Sequence, residues 1–370
     1  MNNSWYHIEN IHELDSPALV LYPQRIQHNI NLAISITGDV HRLRPHIKTH
    51  KIKEIVQLMM AAGIYKYKCA TIAEAELLGM CGAPDVLLAY QPIGPKLQRF
   101  VQLTQQYPQT RFACVTDNTA SAAAIGHAFA AAGGAIAAYL DINIGQNRTG
   151  IAPGDAAIHL YNYCAQVSGL AITGLHAYDG HIQGADLAAR TALCHETFAP
   201  VQKMKQQLQA TGHPQVTIIA GGTPTFPIHA QRQDVECSPG TFVLWDKSYL
   251  DQCPEQAFEV AALLVTRVIS LPNATRICVD LGHKSVAAEN ALPKRVFFPQ
   301  APALEAVSQS EEHLVLEAGA GHSFQPGDVL YGIPQHICPT VALYERACIV
   351  EHGKVTGEWR VLARDRKISL

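Results

Sequence analysis

Strand-length apolar runs alternate with stretches of helical periodicity from the amino terminus to about residue 245. The strand-like runs are Pro17–Tyr22, Leu43–Lys48, Tyr67–Thr71, Asp85–Gln91, Arg111–Thr116, Ala135–Ile144, Leu170–Tyr178 and Val216–Ala220. Between them the spacing predicts helices over 23–37, 51–62, 73–81, 94–106, 118–132, 154–167 and 185–211. Eight strands joined by helices predict a parallel (β/α)8 TIM barrel. The rival, a doubly wound sheet, is weakened because no Gly-x-Gly-x-x-Gly opens the first helix.

Past residue 245 the pattern changes. Short runs at Val260–Leu271, Arg276–Val279, Leu314–Leu316, Asp328–Tyr331, Thr340–Leu343, Ala347–Glu351 and Trp359–Leu362 are separated by Gly, Pro and Asn, without long helical periodicity. This predicts a mostly antiparallel β domain. The expected division is a barrel over 15–245 and a β domain over 246–370, to which residues 1–14 return.

One segment stands out inside this pattern: Arg44-Pro45-His46-Ile47-Lys48-Thr49-His50. Alternation along a strand would point Arg44, His46, Lys48 and His50 to one face. A lysine at the end of a buried strand, flanked by cationic side chains, is placed to attack a carbonyl and form a Schiff base. Arg42, Arg44, Lys51 and Lys53 also make this a basic run that could mimic a nucleic-acid patch, but a strand period interrupts it and no aromatic stacking residues accompany it.

Composition narrows the classes further. The 370 residues are 48% hydrophobic and 16% charged, which suits a large core. A net charge of -3 gives no global pull toward nucleic acid or anionic membrane. The ten cysteines include no Cys-x-x-Cys pair, so a disulfide framework is not expected and a reducing cytoplasmic setting is. No signal peptide is read at the amino terminus, and apolar runs such as Ala128–Leu140 are too short to span a bilayer.

Several further segments fall at the carboxyl ends of predicted strands, the active face of a barrel. Asp141–Gly150 carries Arg148, a candidate for bonding the phenolate of a cofactor. His176-Ala177-Tyr178-Asp179-Gly180-His181 follows the next strand. Gly221-Gly222-Thr223 and, soon after, Ser238-Pro239-Gly240-Thr241 offer backbone N–H groups and hydroxyls suited to a phosphate; each alone reads more readily as a tight turn, and the place of late βα loops in a barrel raises the phosphate reading. In the β domain, His336 and Cys338 lie two apart, so an extended backbone would project them together as an imidazole–thiolate donor pair for zinc, with open positions left for water and substrate. The plain alternative is a buried cysteine beside a capping histidine.

Together these residues resemble the D-threonine aldolase and D-serine dehydratase family, metal-activated pyridoxal phosphate enzymes of the alanine racemase-like fold. The likeness extends over nearly the whole chain. Asp15-Ser16-Pro17-Ala18-Leu19-Val20 resembles the start of the family's barrel, and Arg-Pro-His-Ile-Lys48-Thr-His-Lys its Schiff-base lysine motif. Asp280-Leu281-Gly282-His283-Lys284, Ser310-Glu311-Glu312-His313 and Pro326-Gly327-Asp328 resemble segments of its C-terminal domain, and His336-Ile337-Cys338-Pro339-Thr340 falls on its metal-ligand pair.

The resemblance implies pyridoxal 5'-phosphate on Lys48, with His46, Arg148, Tyr178, Gly221, Gly222, Thr223, Gly240 and Thr241 around it, and a divalent ion, zinc or manganese, on His336 and Cys338. It implies a homodimer in which the β domain of one subunit closes the barrel mouth of the other, with His336 and Cys338 near the partner's cofactor or their own. It also implies a lyase acting on D-3-hydroxy amino acids. The Tyr178–His181 segment is more like the aldolases, which yield glycine and an aldehyde, with His181 as candidate base for the β-hydroxyl proton. Cys338 is more like the dehydratases of D-serine or D-3-hydroxyaspartate, which yield a keto acid and ammonia. A racemase would need a second base, for which Tyr249, Tyr331 and Tyr344 are available. A non-catalytic pyridoxal phosphate carrier would have no use for the metal pair.

Overall fold

A computed structural model describes residues 4–370; residues 1–3, part of the stretch expected to return to the β domain, lie outside it. The chain begins with β1 (Ala18–Leu21) and α1 (Pro23–Thr37). Pro23 stands in the first turn of α1, where a missing N–H is harmless, and Gly38 ends the helix at φ +70. Ile26, Ile30 and Ala33, spaced four and three apart, bury one face.

Regular alternation follows. The order is α2 (Lys53–Ala61), β2 (Lys66–Cys69), α3 (Ile72–Met80), β3 (Asp85–Leu88), α4 (Pro95–Gln106), β4 (Arg111–Thr116), α5 (Thr119–Ala131) and β5 (Ile136–Ile142). It continues with α6 (Asp155–Cys164), β6 (Leu170–Ala177), α7 (Leu187–Ala210), β7 (Thr217–Ala220), α8 (Phe226–Ala230), β8 (Val235–Cys237) and α9 (Lys247–Gln252). Strands β2 to β8 form a seven-stranded parallel sheet in sequence order. The stretch 43–46 closes it: Leu43 bridges Cys237 of β8, and His46 bridges Lys68 of β2. Pro45 has no N–H to give, yet its carbonyl accepts from Lys68 N–H at 2.8 Å, which is why bridges rather than a full ladder hold this last stave.

Two expectations change here. Ala18–Leu21, read as the first barrel strand, pairs antiparallel with β9 (Ala262–Asn273) and parallel with β15 (Arg346–Glu351), strands of the other sheet. All four of its residues are buried, and a continuous apolar run does not reveal which sheet will cover it. The barrel's missing strand is β8, whose three residues between polar loops were too short to read.

Alternation along the staves layers the interior. At the floor Arg44, fully buried, donates from Nε to Glu236 (2.7 Å) and from Nη1 to Asp85 (2.6 Å), and Lys66 and Arg111 pair with the same carboxylates. Above lies an apolar layer of Leu87, Ala113, Val115, Tyr139 and Ile219. The next inward positions, including Lys68, Asp141, His176 and Tyr178, line an open cavity.

The remaining strands are β10 (Arg276–Val279), β11 (Val296–Phe297), β12 (Glu305–Gln309), β13 (Leu314–Glu317), β14 (Val329–Pro334) and β16 (Lys354–Arg360). They form a nine-stranded sheet ordered β12-β13-β10-β9-β1-β15-β16, with β14 pairing β9 and β11. All of its pairs are antiparallel except β1 with β15. The amino-terminal segment lies along it: Glu9 N–H donates to Gly353 O (2.7 Å), and Arg267 Nη2 donates to Ile11 O (2.8 Å) and Leu14 O (2.7 Å). The predicted strand at Thr340–Leu343 is instead the end of a short helix, α10 (Ile337–Val341). Thr340 turns its hydroxyl back to His336 O (2.8 Å), a local bond that competes with a strand.

Candidate active site

The cavity at the carboxyl ends of the strands holds about 660 Å³. Lys48 reaches it from the stretch after the closing stave, with His46 and Lys68 beside it and Asp141, Arg148, His176 and Tyr178 opposite. Three cations surround one aromatic ring: Lys48 Nζ lies 5.7 Å, Lys68 Nζ 5.6 Å and Arg148 Cζ 5.1 Å from the Tyr178 centroid. The stripe predicted from Arg44 to His50 holds only through Lys48. Residues 47–50 form a turn, and His50 is buried with its Nδ1 accepting Ile52 N–H at 3.1 Å.

Electrostatics single out Lys68, which sequence reading missed. It is 2% exposed. Burial, then the charge of Lys48, pushes its amine down to about 7, against the pull of Asp179 and Asp141. A second lysine two residues after Lys66, hence on the same face of one short buried strand, was the available signal. His46 is held well below the ordinary histidine range by burial, then by Lys48 and Lys68, so it is neutral. His176 Nδ1 lies 2.7 Å from Asp141 Oδ1. Burial would raise the Asp141 carboxyl, but His176, Thr149 and Arg148 hold it low. The carboxylate fixes the His176 proton on Nδ1, and Nε2, buried without a partner, presents a lone pair.

The two glycine-threonine loops meet. Thr223 Oγ1 accepts from the N–H groups of Gly240 (3.3 Å) and Thr241 (3.2 Å), both long and weakly committed. A Cβ on Gly240 would lie 3.1 Å from His46 O, a tight contact, so glycine eases the approach of this backbone to the stave that leads to Lys48. Gly221 sits at φ +86. An amine and a free imidazole nitrogen at the cavity's heart fit the carbonyl and ring of pyridoxal phosphate, and the two loops, which do not line the cavity, offer N–H groups and a hydroxyl suited to its phosphate. Like the loop residues, His181 is set back. It does not line the cavity; its Nε2 packs on Gly145, where a Cβ would meet it at 2.6 Å, and its Nδ1 is buried without a partner.

His336 and Cys338 do come together, but through a helix start rather than an extended segment: His336 caps α10 and Cys338 lies in its first turn. Cys338 Sγ is 3.2 Å from Thr49 Oγ1 and 3.5 Å from Thr241 Oγ1 of the same chain. Burial would raise its thiol, but the hydrogen bond and charge of His336, with Lys48 behind, bring it below the ordinary range. His336 is driven up to about 9: burial lowers it, and Cys338, Asp246 and Glu289 more than reverse that. Its Nδ1 lies 2.7 Å from Glu289 Oε1, which leaves Nε2 for a ligand. An imidazole oriented by a carboxylate beside an activated thiol fits zinc. Asp179, Cys194 and His229 also cluster within 4.8 Å, but each is already hydrogen-bonded there, and Arg232 Nη1 stands 3.1 Å from His229 Nδ1. That is a relay rather than a second cation site.

Residues 22–245 match the family model of the alanine racemase N-terminal domain. The chain belongs to that family. Residues 261–350 also match the model of a putative serine dehydratase domain. Over 95% of its length the chain is similar, at 28% identity, to a D-threonine aldolase of an Arthrobacter species, of which 93% is covered. It is 26% identical to a D-threo-3-hydroxyaspartate dehydratase of a Delftia species, over 90% of this chain and 93% of that one. The crystal structure of D-threonine aldolase from Filomicrobium marinum superposes with a TM-score of 0.85 at 28% identity, covering 95% of each chain. The alanine racemase-like fold, a parallel barrel sheet with a mostly antiparallel partner, follows. Pyridoxal phosphate is the cofactor expected of the family.

Proposed function

We propose that the chain is a pyridoxal phosphate-dependent, divalent-metal-activated lyase that cleaves D-3-hydroxy amino acids to glycine and an aldehyde. The observation that carries this reading is Cys338 Sγ standing 3.2 Å from the hydroxyl of Thr49, the neighbour of Lys48 in the same chain, which supports a metal on His336 and Cys338 close to the amine. Relatives named as D-threonine and 3-hydroxy-D-aspartate aldolases, aligned over 95% and 96% of the chain, support it.

Lys48 would hold the cofactor's carbonyl carbon, Thr223, Gly240 and Thr241 its phosphate, and Arg148 its ring oxygen; His336 and Cys338 would hold the ion. When bound, the cofactor supplies an electron sink at the substrate's α-carbon and the metal polarises the β-oxygen. The protein supplies the rest. Lys68, left beside Tyr178 once Lys48 and Arg148 hold the cofactor, would in its protonated form attract and orient a carboxylate. Proton transfer has an acceptor in His176 Nε2, whose lone pair Asp141 keeps free by holding the ring's proton on Nδ1. We assign His176 that part in place of His181, which would have to leave its packing on Gly145 to reach the cavity.

Cys338 favours a second reading, dehydration of a D-3-hydroxy amino acid to a keto acid and ammonia, and the Delftia relative is named for such a reaction. The racemase reading finds less support: Tyr344 donates to Ser285 O at 2.7 Å and Tyr331 packs on Tyr6. A homodimer is part of the proposal, and so is a cytoplasmic setting, for which the ten free cysteines speak. Among the described residues no helix is long and apolar enough to cross a membrane. The test is product identification after incubating the reconstituted protein with D-threonine, D-serine and D-3-hydroxyaspartate in zinc or manganese. Glycine with an aldehyde is expected; a keto acid with ammonia would shift the assignment to the second reading.

A further inference from the structure

Behind the first glycine loop lies a buried group of side chains that the chemistry above does not use. Asp179 is 2% exposed, and His229 and Thr225 are fully buried. A carboxylate is costly at such depth unless every oxygen is bonded. Oδ1 of Asp179 accepts from Gly222 N–H (2.9 Å) and from the Thr225 hydroxyl (2.8 Å). Oδ2 accepts from His229 Nε2 (2.8 Å). His229 is itself oriented, because Arg232 Nη1 donates into its Nδ1 at 3.1 Å and Phe198 packs edge-on to its ring. The proton therefore stands on Nε2 and faces Asp179.

These contacts grip the loop at successive residues. A Cβ on Gly221 would come within 2.9 Å of His229 Cδ2, so the imidazole backs that residue directly. Gly222 is pinned by Asp179, and a Cβ there would lie 3.2 Å from Tyr178 Cε2. Thr223 comes next, and its hydroxyl gathers the N–H groups of Gly240 and Thr241. Asp179 also directly follows Tyr178, the ring ringed by cations. One carboxylate thus ties the loop that would hold the phosphate to the strand end that carries Tyr178 into the cavity.

We propose that Asp179 and His229 are positioning residues for the cofactor's phosphate, acting through the Gly221–Thr223 turn. The inference rests on the reading of the cavity as a pyridoxal phosphate site. Asn at 179 keeps the shape but cannot serve both ends. If its oxygen accepts from His229, its NH2 faces the Gly222 N–H and the Thr225 hydroxyl; if turned, it opposes the His229 donor. The turn then loses its tether whichever way the amide lies.

The experiment measures equilibrium binding of pyridoxal 5'-phosphate and of pyridoxal, which lacks the phosphate, by the absorbance band of each bound form. The full-length wild type, Asp179→Asn, His229→Leu and His229→Gln are compared. Loss of a charge-assisted tether should weaken pyridoxal phosphate binding by about tenfold or more in Asp179→Asn and His229→Leu, with pyridoxal changed by less than about twofold. Gln can place an N–H donor near the position of Nε2, so His229→Gln should recover much of the loss. An equal fall for both ligands would mark a merely structural role and overturn the inference, as would an unchanged ratio. A wild type that binds neither ligand would overturn the cofactor reading instead.

Discussion

Cys338 Sγ lies 3.2 Å from Thr49 Oγ1, the residue after Lys48, although 289 positions separate the two in the chain. The β domain thereby delivers the Cys338 thiol, held below its ordinary range by His336, to the mouth of its own barrel. Whether His336 and Cys338 lie by their own cavity or a partner's was open in the sequence; this contact sets Cys338 by its own.

Metal retention should depend on both ligands and on Glu289, whose Oε1 stands 2.7 Å from His336 Nδ1. Glu289→Gln should weaken zinc binding by roughly tenfold or more, since the orienting carboxylate is gone. Cys338→Ala should cost more. Competition with a chromophoric chelator reads both, and equal affinity in Cys338→Ala and the wild type would remove the ion from this site.

Lys68 should make the cofactor-free protein more stable in mild alkali. Its amine sits at about 7 in the fold against about 10.4 in an unfolded chain. Between these values the unfolded chain binds the extra proton, so stability rises with pH across the window, and below it the burial penalty is felt in full. Lys68→Met should flatten that rise in urea titrations between pH 7 and pH 10; an undiminished slope would mean the amine is solvated.

The floor of the barrel predicts a large single-site effect. Arg44→Met leaves Asp85 and Glu236 facing each other, with only Lys66 and Arg111 to answer them. Breaking a buried network from one side costs about 3–5 kcal/mol. Denaturant unfolding checks this, and a loss under about 1 kcal/mol would show that water relieves the carboxylates.

Asp141→Asn should leave cofactor affinity nearly intact while turnover falls by about a hundredfold or more, because the His176 proton is no longer held on Nδ1. His176→Gln should behave alike. If both variants kept wild-type turnover, His176 would have no part in proton transfer.

Much of this architecture was legible from periodicity. The helices from α1 to α7 and the strands β2 to β7 lie within a few residues of their predicted places, because strand-length apolar runs and helix-length stretches alternate regularly along the chain. What failed were elements whose identity depends on distant partners. Ala18–Leu21 is apolar throughout and finds its sheet only when β9 and β15 arrive. β8 is three residues long, and α10 is too short to show a period. Within the site, Lys48, Arg148, Tyr178 and the glycine loops were marked by unusual residues at strand ends. Lys68 and the Asp141–His176 pair were not singled out, since their meaning comes from burial and from neighbours on other strands.

The central claim is that Lys48 is the amine that carries the cofactor. Borohydride reduction of the protein loaded with pyridoxal 5'-phosphate, followed by peptide mass mapping, tests it most directly. The pyridoxyl group should be found on Lys48, in the Lys68→Met variant as in the wild type. Its recovery on Lys68 instead, or a loaded protein with Lys48 unlabelled, would contradict the account.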